Sequence, residues 1–238
     1  MKLLGTHIMI DVETMGIGTA PPLLSLGAVA FNDGGIFLRF HEHIDLQSCI
    51  DAGLVPTAST MLWWLEQSDE ARQKITQGQK DSYPVGHVLG LFFNWIYDVY
   101  EGLAEDCFVW SYGSNADIRW LDEICEKLNI NTPWSYRNIG CYRTLCHMFP
   151  MVPYNHRGVR HDALADAKSQ ANHLIEMFKY DECVSKAAYA NEFAERCNMS
   201  DDSAYQPGNS DLQTSSKAPD SLIEVKISTG VGPSSLKG

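Results

Sequence analysis

The chain has 238 residues, 45% hydrophobic and 20% charged, which is enough for one domain with a sizeable core plus an appendage. Acids outnumber lysines and arginines 30 to 18, a formal charge of −12. That balance excludes a protein that grips long duplex DNA through many phosphate contacts. Short, end-on contact with nucleic acid is still allowed, because bound divalent cations reverse the local sign of a carboxylate-lined cleft.

His7–Glu13 reads as a buried strand that turns polar at its carboxyl end, and Leu23–Phe31 as a second strand. Asn32-Asp33-Gly34-Gly35 is a hairpin turn signal, and Ile36–Ile44 alternates as a third strand, so the sheet should begin as an antiparallel meander. Ser59–Gln67 holds the apolar run Met61-Leu62-Trp63-Trp64-Leu65, expected to be core. Pro84–Tyr100 repeats Val85, Val88, Leu89, Phe92, Phe93 and Ile96 at helical spacing. Cys107–Ser111 is a fourth strand, followed by a Gly113-Ser114-Asn115 turn, with Ser114 or Asn115 the expected cap of a helix that buries Ile118, Leu121, Ile124, Cys125 and Leu128. A last helix within His161–Tyr180 turns Leu164, Ala167, Ala171, Leu174, Ile175 and Phe178 inward. Strands followed by helices on a mixed sheet define an α/β layered domain.

Composition shifts near Cys197, which divides the chain into a folded domain over 1–197 and a tail over 198–238. The tail is rich in Ser, Asp, Gly and Pro and is expected to be disordered. Leu222–Ile227 within it could pair as a strand with a partner. Seven scattered cysteines form no C-x-x-C pair and suit reduced thiols. With no signal peptide and no apolar run of about 20 residues, a cytoplasmic protein with no membrane association is expected.

Three short segments carry the chemistry. Asp11-Val12-Glu13 places two carboxylates on one side of a strand, because strand side chains alternate with period two. Two close acids repel unless a cation bridges them, and the carboxyl end of a sheet strand is where α/β proteins bind ligands. Asp117 opens the helix after the fourth strand, a position the helix dipole alone would also favour. His161 and Asp166 lie five apart and would diverge by roughly 140° on one helix. They can share a site only if His161 precedes the helix and Asp166 lies a turn inside it, with Asp162 as a structural cap. Four acids and one histidine are the set needed to hold two divalent ions and activate a water.

This ordered set resembles the DEDD superfamily of 3′-5′ exonucleases in its histidine-containing branch, over about residues 7–178. Asp11–Gly16, Trp63-Trp64-Leu65, Trp110–Asp117, Pro133-Trp134, Arg143-Thr144-Leu145 and His161–Ala167 are similar to a smaller subgroup of phage and prophage exodeoxyribonucleases that also includes a bacterial exoribonuclease. Ile118 departs from it, since relatives often have an aromatic there. The resemblance implies a ribonuclease H-like mixed sheet flanked by helices. It also implies Asp11, Glu13 and Asp166 on a first metal, Asp11 bridging to a second, Asp117 supporting that ion through water, and His161 as general base. Two Mg²⁺ ions would serve, with Mn²⁺ substituting.

Thr14, Met15 and Gly16 would line the pocket for the terminal nucleotide, with Trp63, Trp64, Tyr112 and Trp134 as stacking surfaces and Arg143 and Arg119 as phosphate contacts. The tryptophans and Pro133 could instead form a homodimer interface. The reading is a metal-dependent 3′-5′ exonuclease on single-stranded 3′ ends that releases nucleoside 5′-monophosphates. By analogy with the phage members, the expected substrate is DNA, with RNA as the alternative. An inactive nuclease-fold binding module and a small-nucleotide phosphatase are the rivals, and the intact acid and histidine set counts against the first.

Overall fold

The computed structural model describes residues 3–102 and 107–200, with side chains to 191. The chain divides into two compact units, Met1–Phe193 and Ala194–Gly238, and the sheet and site belong to the first. The expected tail lies outside the described residues except for 198–200, which end the last helix, and Leu222–Ile227 lies wholly outside them.

The strands are β1 (His7–Thr14), β2 (Leu23–Asn32), β3 (Gly35–His43), β4 (Phe108–Ser111) and β5 (Ile139–Cys141), in one mixed sheet of order β3-β2-β1-β4-β5. The expected meander is present: β1 pairs antiparallel with β2, and β2 with β3. β4 lies parallel to β1, so the carboxyl ends of both open on the same edge of the sheet. The helices are α1 (Leu46–Asp51), α2 (Ala58–Glu66), α3 (Asp69–Gly78), α4 (Val85–Val99), α5 (Asp117–Lys127), α6 (Tyr142–Met148) and α7 (Ala163–Ser200). None of the described helices is long and apolar enough to cross a membrane.

Period-two alternation along β1 divides the core. Ile8, Ile10 and Val12 join the α4 and α5 stripes, including Val88, Phe92, Ile118 and Leu121. Met9 faces the other way, with Val29, Phe31 and Trp110, toward Tyr142, Ala167, Ala171 and Leu174 of α6 and α7. Asp11 and Glu13 share the parity of Met9 and so belong to the α7 face. Gly27 pairs with Asp11 across the β1–β2 ladder. A Cβ on Gly27 would lie 2.3 Å from Ala163 C and from Leu164 N. The missing side chain therefore lets the α7 N-terminus rest on the sheet beside Asp11.

Three expectations are corrected. The run Met61–Leu65 is mostly exposed, with only Trp64 in the core, because a nine-residue α2 presents one face inward. Trp134 is buried against Phe92 and Phe93 and donates to Asp122 Oδ1 at 2.9 Å, so it is a core residue that offers no stacking or interface surface. The residue at the α5 N-cap is Ala116, with no side-chain cap hydrogen bond, because the turn after β4 runs one residue further than Asn115.

Candidate active site

The carboxyl ends of β1 and β4, the start of α5 and the first turns of α7 meet at one place. Asp117 is buried and its Oδ1 accepts from the Val12 N–H at 3.4 Å, which ties α5 to β1 between the two strand acids. Gln170, four residues beyond Asp166 on the same helix face, donates from Nε2 to Asp11 Oδ1 at 2.8 Å. Both Asp166 oxygens are engaged: Oδ2 accepts the His161 N–H at 2.9 Å, and Oδ1 lies 2.6 Å from His156 Nε2.

His161 precedes α7, as the five-residue spacing requires, and holds a left-handed backbone conformation with φ of 62°. Such a backbone is uncommon for a residue with a side chain and is typical of functional sites. Its ring meets Trp63 edge-on at 4.8 Å and Trp64 at 6.0 Å between centroids. Asp162 acts as the expected cap: its Oδ1 accepts from Ala165 N at 3.0 Å and its Oδ2 pairs with Lys74 at 3.0 Å.

One ligand atom each from Glu13, His161 and Asp166 lie within 4.8 Å of one another. Burial, followed by repulsion from Asp117, Glu13 and Asp166, holds the Asp11 carboxyl well above its ordinary range, against the Gln170 hydrogen bond. Glu13 is raised in the same way, by burial and then by Asp166 and Asp117. Burial pushes Asp117 up to about 7, against its hydrogen bonds and the Arg143 charge. His161 is lowered by burial and by Arg160 and His156, with Asp166 opposing. Buried, mutually repelling oxygen donors beside an imidazole fit a divalent cation, which would relieve the repulsion. The grouping differs from the expectation in one respect: the imidazole of His161 joins Glu13 and Asp166 at ligand distance, and Asp11 lies next to that trio.

A cavity of about 400 Å³ opens beside Glu13, walled by Thr14, Ile17, Thr60, Trp63, Trp64 and Trp120. Thr14 lies at the expected pocket. Met15 instead packs with Leu24 and Trp64 behind the wall. Gly16 gives room to the chain itself, since a Cβ there would lie 3.1 Å from Val55 O. Trp64 donates to Thr14 O at 2.9 Å and fixes the wall. Arg143 stacks 5.7 Å over Tyr112 and its charge reaches Asp117, whereas Arg119 pairs with Glu123 on the outer face of α5.

Four acids and a histidine thus converge at the carboxyl edge of the mixed sheet. The chain belongs to the Rv2179c-like 3′-5′ exoribonuclease domain family, whose model matches residues 6–178, and is a 3′-5′ exonuclease. No curated protein sequence matches it. Among solved structures it is similar to the nuclease domain of 3′hExo, a DEDDh family member bound to rAMP. That match has 15% identity and a TM-score of 0.50, covering 73% of this chain and 92% of that one. It is also similar to a 3′-exonuclease that recognises the histone mRNA stem-loop, at 13% identity and a TM-score of 0.51, covering 75% and 84%. At these identities the likeness carries the fold, which is that of the DEDDh exonucleases.

Proposed function

We propose that the domain removes nucleoside 5′-monophosphates one at a time from single-stranded RNA 3′ ends, using two divalent cations held by Asp11, Glu13, Asp117 and Asp166. Mg²⁺ is the natural choice for oxygen donors, and Mn²⁺ should substitute. The observation that carries this reading is the cluster of buried, repelling acids with the His161 ring at ligand distance from Glu13 and Asp166. RNA is preferred over the DNA expected from the phage resemblance, because the matching family is one of exoribonucleases.

When bound, the cations lower the pKa of the attacking water and stabilise charge on the leaving 3′ oxygen. The chain supplies the rest. Thr14, Trp63 and Trp64 receive the terminal nucleoside in the 400 Å³ cavity, with Trp63 still 40% exposed and free to stack on a base. Glu13 lines that cavity, so the scissile phosphate rests at its mouth, against the acids. The water oxygen bonds to phosphorus as the bond from phosphorus to the 3′ oxygen breaks. His161, whose neutral ring is favoured by its lowered pKa, takes the water's proton and passes it to solvent, while the departing 3′ oxygen takes a proton from solvent to leave a 3′-hydroxyl.

Matched single-stranded RNA and DNA oligomers digested in parallel with Mg²⁺ or Mn²⁺ test this reading. Faster release of 5′-monophosphates from RNA supports it. A clear preference for DNA would return the domain to the earlier expectation.

A further inference from the structure

A second cavity, of about 530 Å³, reaches the acids through Gln170. Tyr112, Tyr142, Tyr154, Arg160, Gln170 and His173 contribute to its wall, and it shares no lining residue with the cavity beside Glu13. Gln170 connects it to the site, since its Nε2 donates to Asp11 Oδ1 at 2.8 Å. Tyr154 is close enough to Asp166 and Asp11 for both to act on its hydroxyl. One cavity thus meets the acids at Glu13 and the other at Asp11, through Gln170.

Gln170 is only 6% exposed, and its Oε1 is buried without a hydrogen-bond partner, the one such side-chain atom among the described residues. With Asp11 ionised on a bound cation, its carboxylate only accepts, so Nε2 faces Asp11 and Oε1 is left as an acceptor. A buried acceptor without a donor is unfavourable, so a ligand that brings a donor here gains a hydrogen bond. The remaining wall suits a nucleotide. Tyr112 and Tyr154 are 49% and 43% exposed and offer ring faces to a base. Arg160 lines the cavity and Arg143 stands over Tyr112, two cations on a chain of net charge −12.

We propose that this cavity seats the penultimate ribonucleotide, with its base against Tyr112 and Tyr154 and its 2′-hydroxyl donating to Gln170 Oε1. This inference rests on the exonuclease reading above. If the terminal nucleoside fills the cavity beside Glu13, the nucleotide bearing the leaving 3′ oxygen lies across the acids, next to Asp11 and Gln170. The 2′-hydroxyl is on the carbon adjacent to that oxygen, and deoxyribose has no donor there. Gln170 is thus a residue that tells RNA from DNA, acting on the leaving nucleotide.

The first test changes the substrate and leaves the protein intact. RNA oligomers carrying one 2′-deoxy substitution at the penultimate or the third nucleotide are compared with all-ribose RNA, beside a nucleoside 5′-monophosphate p-nitrophenyl ester that has no penultimate nucleotide. The penultimate substitution should lower kcat/KM about tenfold, as loss of one hydrogen bond does, and the third-position substitution should have little effect. Tyr112→Ala should raise KM for the oligomer about tenfold, lowering the ratio of oligomer to ester hydrolysis, and Tyr112→Phe should restore it. Equal rates for ribose and deoxyribose at the penultimate position, with ester hydrolysis intact, would overturn the subsite. Failure to hydrolyse either ester or oligomer would overturn the exonuclease reading and the subsite with it.

Discussion

His156 Nε2 lies 2.6 Å from Asp166 Oδ1 while the His161 N–H donates to Oδ2 of the same carboxylate, so one acid is oriented from both sides by the loop that precedes its helix. A carboxylate on a metal site is tuned by such outer partners, and their loss commonly costs 10–100-fold in affinity or activity. His156→Ala should therefore weaken activation by Mn²⁺ by about that factor, with activity largely recovered at high metal concentration. His156→Gln, which keeps a donor, should lie between. Metal titration of the hydrolysis rate reads all three proteins.

His161 should behave differently. If it takes the water's proton, His161→Ala should cut turnover by roughly 10²–10⁴-fold at saturating metal. The wild-type rate should rise as pH climbs through the imidazole's titration, because only the neutral ring accepts a proton. Burial and the neighbouring Arg160 and His156 lower that titration below the usual value near 6.5, so the midpoint of the rise should lie on the acid side of that value. A pH–rate profile of both proteins shows whether the step vanishes in the variant.

The crowded acids make stability depend on pH and metal together. Asp11 and Glu13 are raised well above their ordinary values and Asp117 to about 7. Between the ordinary and the raised values the folded chain binds more protons than the unfolded chain, so the contribution of these groups falls as pH rises through that interval. A cation that replaces the protons and binds only the folded form restores it. The gain in Tm on adding Mn²⁺ should be small at pH 5 and large at pH 7.5. Asp117→Asn, which keeps an acceptor for the Val12 N–H, should raise the metal-free Tm at pH 7.5 and shrink the gain from metal. Thermal melts at both pH values, with and without Mn²⁺, provide the comparison.

Gly27 should tolerate no side chain. A methyl group there meets backbone atoms of Ala163 and Leu164 at 2.3 Å, and backbone cannot move aside as a flexible side chain can. Gly27→Ala should destabilise by about 1–3 kcal/mol and displace Asp166 from Asp11. Activity should then fall even at temperatures where circular dichroism shows the variant folded.

Much of this centre could be read from local pattern. Asp11 and Glu13 share a face because of strand parity, the Asn32–Gly35 turn fixes the meander, and the α4 stripe identifies its own inner face. His161 and Asp166 could meet only across a loop-to-helix junction, and they do. The residues that escaped notice are those whose role comes from tertiary approach. His156 sits in a loop with no periodicity, and Gln170 is an ordinary polar residue on a helix until Asp11 is placed beside it. β5 has three residues and is held by β4, too short to carry a pattern of its own. The exposure of Trp63 and the burial of Trp134 are not legible in the sequence, because an apolar side chain does not declare whether it faces core or cleft.

The most direct measurement is digestion of single-stranded RNA labelled at its 3′ or its 5′ end by wild type, His161→Ala and Asp11→Asn, with Mn²⁺ or with EDTA. Wild type with Mn²⁺ should release labelled 5′-monophosphate at once from the 3′-labelled strand and shorten the 5′-labelled strand stepwise. EDTA and Asp11→Asn should abolish both, and His161→Ala should slow both by at least about a hundredfold. Internal cuts, release from the 5′ end, or full activity in EDTA would contradict the account.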